Sequence, residues 1–98
     1  MKRVSNLAFN NEYPKLSGRS GLPRKNAIEI RRDKANPFDQ NAVGIFFDDE
    51  SFPVGWLFKK DSNRNPVLSK LDEVEKIDGH IEQAAPGEKV KFVVVFWL

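Results

Sequence analysis

Seven consecutive apolar residues at positions 92–98 constrain the fold of this chain more than any other feature. Their β-branched and aromatic side chains favour an extended strand. A strand that is apolar on both faces aggregates unless its edges are paired, so this segment must lie inside a sheet. The predicted strand covers residues 88–98 and turns Val90, Phe92, Val94 and Phe96 inward.

Five other short segments carry apolar residues at every second position, the period of a half-buried strand. Turn-forming residues separate these segments, as in a small barrel or sandwich. An Asn at the cap and a Pro at the first helical position predict one short helix over residues 65–71. We therefore expect one all-β domain over residues 1–98, an OB-like or SH3-like six-stranded β-barrel with one or two short helices. The strands are predicted at residues 4–9, 27–32, 41–47, 52–57, 74–82 and 88–98.

Composition narrows the class of protein. Hydrophobic residues make up 40% of the 98 residues, which is enough for one core, and the absence of Cys excludes disulfides and thiolate metal sites. Residues 1–6 lack the apolar stretch of a secretion signal. A cytoplasmic protein, or a nuclear one in a eukaryotic cell, is expected.

The small net charge of +2 conceals an uneven distribution. Residues 1–35 contain nine Lys or Arg and three Asp or Glu, whereas residues 36–98 contain seven and eleven. Part of the basic excess lies in a predicted loop over residues 10–26, rich in Gly and Pro, that can reach a ligand. Basic residues also solvate ordinary surfaces, so charge alone does not identify a nucleic-acid binder.

Catalytic groups are sparse in the sequence. His80 is the single histidine, and the acidic run at residues 48–50 lacks the ligand spacing of a calcium loop. No phosphate-binding glycine loop or nucleophile motif is present. We expect neither an enzyme nor a bound cofactor or metal. A nuclease that used Asp39 with Asp48 or Asp49 would require a divalent ion.

Two motifs occur in a fixed order. Residues 36–43 read N-P-F-D-Q-N-A-V, and residues 55–57 read G-W-L. This order resembles the signature of HIRAN domains, N-P-Y/F-D-x-N-A-I/V followed by a hairpin and G-Y/H/W-L. Residues 77–79 and 96–97 are similar to the closing part of the version in a fork-remodelling DNA translocase, so the resemblance covers most of the chain.

The resemblance implies an OB-like barrel that captures a single-stranded DNA 3′ end in repair or replication-fork processing. A helicase-like domain or other repair proteins are the implied partners. A ring on the Pro loop can stack on a base, and a carboxylate can accept a hydrogen bond from a terminal hydroxyl while repelling phosphate. The candidate DNA-binding residues are Phe38 (stacking), Asp39 (hydroxyl acceptor), Asn36 (donor), Phe9 (second ring), and Lys59, Lys60, Arg31 and Arg32 (phosphates).

Several alternatives stay open at this point. Phe38 lacks the hydroxyl of the Tyr that the motif also allows, and its ring suits a core as well as a ligand. Asn36 and Asp39 are also typical of turns in which their side chains bind backbone N–H groups. The alternative function is a non-catalytic protein-interaction barrel with an exposed patch formed by Trp56, Phe58 and Trp97.

Overall fold

Six β-strands and one helix make up the regular structure of residues 1–14, 27–47 and 50–98, which the computed structural model describes. The prediction of a mostly β protein with six strands and a short helix is therefore confirmed. In chain order the elements are β1 (Lys2–Phe9), β2 (Ala27–Arg32), β3 (Val43–Phe47), β4 (Gly55–Leu57), α1 (Arg64–Leu71), β5 (Ile77–Gln83) and β6 (Phe92–Trp97).

The strands close into an antiparallel barrel in the order β1-β4-β3-β2-β5-β6, and β6 pairs back onto β1. The apolar strand β6 has a partner on each edge, β1 on one side and β5 on the other. Barrel closure thus satisfies the pairing that the run of apolar residues demands.

The alternating pattern fills the barrel interior. Ile28 and Ile30 of β2 are buried, as are Val94 and Phe96 of β6, and each fully buried side chain of this size contributes about 1.5–3 kcal/mol. Helix α1 contacts β2 and β3 and adds apolar side chains to the same core. The interior is consequently packed rather than open to a ligand.

Helix α1 begins at Arg64, two residues before the predicted first helical position at Pro66, and its N-cap is Asn63 rather than Asn65. The Asn63 side chain makes no capping hydrogen bond. It donates instead to the Ser5 hydroxyl at 2.8 Å and to the Val4 carbonyl at 3.1 Å. The Asn63 side chain is therefore used for tertiary contact with β1, although Asn is a residue type that commonly caps a helix.

Strand β4 is shorter than predicted because Pro53 has no N–H group to donate. The carbonyl oxygens of Pro53 and Val54 accept hydrogen bonds from the Asn10 side chain and backbone, at 2.9 and 2.8 Å. Strand β6 also starts later than predicted, after a turn at Pro86-Gly87 in which Gly87 has a φ of 90°. The ends of these strands therefore differ from the predicted ends, whereas the order of strands and helix along the chain agrees with the prediction.

Gly55 brings β1 and β4 close together at the end of the barrel that carries the two motifs. A Cβ at this position would lie 2.5 Å from the Ala8 carbonyl oxygen, so a larger residue would force the strands apart. Gly55 pairs with Phe9, and Trp56 pairs with Ala8. The close approach of the two strands at Gly55 therefore places Phe9, the predicted second ring, beside the G-W-L motif.

Candidate functional site

The loop between β2 and β3 holds the N-P-F-D motif in a conformation that is set locally. The Asn36 Oδ1 accepts the backbone N–H of Phe38 at 2.8 Å and that of Asp39 at 3.1 Å. The N–H of Asp33 donates to the Ala42 carbonyl at 2.9 Å and closes the base of the loop. The interpretation of Asn36 as a turn residue is therefore correct, since its side-chain oxygen binds backbone N–H groups. These hydrogen bonds hold the backbone of Phe38 in a fixed position.

Phe38 projects from this loop into solvent. The residue is 91% exposed, so the alternative that it is a core residue is wrong. Asn36 and the ring restriction of Pro37 limit the motion of the backbone that carries it. An exposed ring on a restrained backbone loses little conformational entropy when a flat ligand stacks on it.

Phe38 forms one side of a cleft of about 700 Å³, which we call the aromatic groove. This volume lies within the usual range of ligand sites, about 300–1,000 Å³. Phe9, the residue proposed from the sequence as a second ring, lies at the end of β1, is 38% exposed and lines the same groove. Within the described part of the chain, four aromatic side chains line the groove: Phe9, Phe38, Phe52 and Trp56.

The charged residues that line the aromatic groove are acids. Glu12 and Asp33 contribute carboxylates, and no Lys or Arg lines it among the described residues. Asp33 is buried, and its Oδ2 accepts the indole N–H of Trp56 at 2.8 Å. Such a groove repels phosphate and attracts hydrogen-bond donors.

Asp39 is not one of the residues that line the aromatic groove. Its Oδ1 accepts the backbone N–H of Asn41 at 3.0 Å, and its Oδ2 accepts from the Arg64 guanidinium at 2.7 Å. This ion pair is mostly shielded, with 20% of the Asp39 side chain and 13% of the Arg64 side chain exposed. The Asn41 N–H and the nearby positive charges of Arg64 and Lys59 lower the pKa of Asp39. The contacts tie the motif loop to α1.

The four predicted phosphate ligands lie in different environments. Lys59 and Lys60 are exposed in a turn after β4. Arg31 lies 4.0 Å from the centre of the Phe46 ring and donates to a backbone carbonyl. Arg32 pairs with Asp72 at 2.7 Å on the side of α1. None of these four cations lines the aromatic groove, and the two arginines already have protein partners.

The patch proposed for protein interaction is not continuous. Trp56 pairs with Ala8 in the barrel register, whereas Trp97 pairs with Lys2. Lys2 and Ala8 are six positions apart in β1, which corresponds to roughly 20 Å along a strand. The ring centres of Trp97 and His80 are 5.9 Å apart, and Trp56 is half-buried. Trp56 and Trp97 therefore belong to separate regions.

Asp33 and Arg64 escaped the sequence reasoning. Asp33 directly follows β2, and acidic residues commonly start a turn at such a position. Its residue type therefore gave no indication of the hydrogen bond with Trp56. Arg64 is 25 residues from Asp39 in the chain, and neither residue type predicts the pair. A long-range pairing of strands and helix brings each of these contacts about.

Other classes of site receive no support within residues 1–14, 27–47 and 50–98. These ranges contain no cluster of three or more His, Cys, Asp or Glu side chains that could hold a metal ion. None of their helices is long and apolar enough to cross a membrane. Asp48, Asp49 and most of the predicted basic loop, residues 15–26, lie outside the described residues.

Comparison with known proteins adds no relative. No protein-family model, curated protein or solved structure matches this chain. The functional argument therefore rests on the barrel, the motif loop and the groove beside it.

Proposed function

We propose that this protein binds the 3′ end of single-stranded DNA, without catalysis, and places the terminal nucleotide in the aromatic groove. The observation that carries the proposal is the almost fully exposed Phe38 ring, which shares a groove of nucleotide size with Phe9. Stacking of a base on an aromatic side chain contributes about 1–3 kcal/mol and tolerates any base. Exposed base faces are a property of single strands rather than duplexes.

The acidic lining supports selection of a strand end over the interior of a strand. A continuing strand would bring a phosphate next to Glu12 and Asp33, where like charges repel. A terminal hydroxyl has no such charge and can donate a hydrogen bond to a carboxylate. The choice of the 3′ end rather than the 5′ end, and a role in repair or fork processing, come from the resemblance to HIRAN domains.

Two acids can serve as the hydroxyl acceptor. The resemblance assigns this role to Asp39, whose carboxylate already binds Asn41 and Arg64. Asp33 lines the groove, and its carboxylate has one described hydrogen-bond partner, the Trp56 indole. We favour Asp33 as the groove acceptor and Asp39 as the residue that positions the loop.

The test compares short strands that differ only at their ends. Labelled hexanucleotides with a 3′ hydroxyl, a 3′ phosphate or a blocked 3′ end are titrated by fluorescence anisotropy against the protein. We expect the hydroxyl end to bind best. Phe38→Ala should weaken its binding roughly 5- to 150-fold, the range that corresponds to loss of one stacked base.

Two controls separate stacking from misfolding. Phe38→Tyr keeps a ring at this position and should bind like the unmodified protein. Trp97→Ala removes an exposed ring outside the groove and should leave the affinity unchanged. Equal affinity for all three ends would refute end capture, and absence of binding to any strand would refute the nucleic-acid function.

A further inference from the structure

A second cleft lies on the other side of Phe9. It has a volume of about 750 Å³ and shares Phe9 and Asn11 with the aromatic groove, so the two clefts meet at the end of β1. Another part of its lining comes from residues 89–92, which are the end of the segment that joins β5 to β6 and the first residue of β6. We call this cleft the basic groove.

Among the residues that the structure describes, the charged side chains that line the basic groove are those of two lysines. Lys89 and Lys91 are exposed, and neither forms an ion pair with an acid among the described residues. No Asp or Glu belongs to the lining that the structure describes. Unneutralised lysines beside a cleft make it attractive to phosphate.

The walls of the basic groove are apolar and include an accessible ring. Leu7, Val90 and Phe92 contribute aliphatic and aromatic surface, and Phe58 is 44% exposed. Lys59 and Lys60 directly follow that ring in the chain. A cation-lined groove with an exposed aromatic ring is the combination that binds single-stranded nucleic acid.

We infer that the basic groove binds the nucleotides that precede the terminal one, with their phosphates at Lys89 and Lys91 and a base on Phe58. This inference rests on the proposed function, because it takes the strand end to lie in the aromatic groove. The strand passes over Phe9, from a region that favours phosphates to one that excludes them. The opposite lining charges therefore fix the direction in which a strand lies across the protein.

A length series tests the inference. The full chain and the double variant Lys89→Ala/Lys91→Ala are titrated with a dinucleotide and a hexanucleotide, both with 3′ hydroxyl ends, at several salt concentrations. Each phosphate contact on a single strand contributes about 0.7 to the slope of log K against log salt. Loss of two contacts should make the hexanucleotide slope shallower by about 1.4 and weaken its binding on the order of tenfold.

Dinucleotide binding should weaken by no more than about threefold in the same variant, because a dinucleotide has a single phosphate and places one nucleotide in the basic groove, so at most one of the two lysine contacts is lost. Phe58→Ala should also weaken the hexanucleotide more than the dinucleotide. The matched control is Lys70→Ala/Lys76→Ala, which removes the same charge outside both grooves and should leave the hexanucleotide affinity nearly unchanged. A thermal unfolding curve for each variant confirms that it folds.

The outcomes separate this inference from the proposed function. If the Lys89/Lys91 variant and the Lys70/Lys76 control weaken the hexanucleotide equally, or if dinucleotide and hexanucleotide lose affinity in parallel, the basic groove is not the path of the strand. End preference and the effect of Phe38→Ala would still stand in that case. If the protein shows no end preference and Phe38→Ala binds normally, the proposed function is refuted, regardless of the result for the Lys89/Lys91 variant.

Discussion

The aromatic groove and the basic groove share Phe9 and have opposite charge. The first contains Glu12 and Asp33, and the second contains Lys89 and Lys91. Their volumes are similar, about 700 and 750 Å³, so charge rather than size distinguishes them. The comparison shows that a net charge of +2 says little about this surface, because two adjoining sites of opposite sign contribute nothing to the total.

The largest effect on stability should follow from substitution of Gly55, which pairs with Phe9, the ring that both grooves share. Gly55→Ala places a methyl group 2.5 Å from the Ala8 carbonyl oxygen, so β1 and β4 must separate next to Phe9. We expect the free energy of unfolding to fall by about 1–3 kcal/mol, as in overpacked cores. Urea denaturation measures this change. Ser69→Ala, an exposed change on α1, should stay within about 0.5 kcal/mol of the unmodified protein.

A normal stability for Gly55→Ala would show that the two strands can move apart freely. The boundary at Phe9 would then be adaptable, and the contrast between the two grooves would not depend on a fixed ring.

An intermediate effect should follow from removal of charge in the aromatic groove. Asp33→Asn keeps an oxygen that can accept the Trp56 indole N–H but removes the negative charge. We expect the preference for a 3′ hydroxyl over a 3′ phosphate to fall about fivefold, equivalent to roughly 1 kcal/mol of lost repulsion. Anisotropy titrations with both ends measure the ratio, and Glu82→Gln, an acid outside both grooves, should not change it.

The same measurement decides between the two acids. If Asp39→Asn abolishes the preference while Asp33→Asn preserves it, the hydroxyl acceptor is Asp39, as the HIRAN resemblance implies. The groove lining would then not be the source of end selection.

The smallest effect on stability should come from protonation of Asp39, the residue that ties the motif loop to α1. The pKa of Asp39 is lowered by the Asn41 N–H and by Arg64, so folding favours its ionised form. That contribution to stability is fully present above the unfolded pKa, about 3.9, and is lost as pH falls through the lower folded value. The stability difference between the unmodified protein and Asp39→Asn should be constant from pH 5 to pH 8 and shrink below about pH 4.

Denaturation at pH 3, 4, 5 and 7 measures this dependence. Asp72→Asn, whose ion pair with Arg32 leaves 70% of the Asp72 side chain exposed, is the matched control and should change stability little at any of these pH values. A difference for Asp39→Asn that persists unchanged at pH 3 would mean that the charge of Asp39 does not hold the loop.

Parts of the two motifs have structural tasks that account for their residue types. Asn36 fixes the turn through its side-chain oxygen, Gly55 allows two strands to approach, and Trp56 donates to Asp33. Phe38 is different, since its exposed ring makes no comparable contribution to the fold. This difference is what makes Phe38 the strongest functional candidate in the chain.

The sequence by itself determined the strands, the helix and the apolar core. Burial in a strand alternates with every residue, so the position of Ile28 or Val94 on an inner face is a local property. The turn that carries Phe38 was also predictable, because Asn36 and Pro37 act on their immediate neighbours, whereas the sequence left open whether the Phe38 ring is buried or exposed.

Only the tertiary structure decided how the loop is anchored and where the two grooves lie. Asp39 and Arg64 are 25 residues apart in the chain, and Trp56 and Asp33 are 23 apart. Closure of the barrel brings β1 and β4 together and sets residues 89–92 beside Phe9. Local patterns do not specify such contacts, because they depend on the order in which all six strands pair.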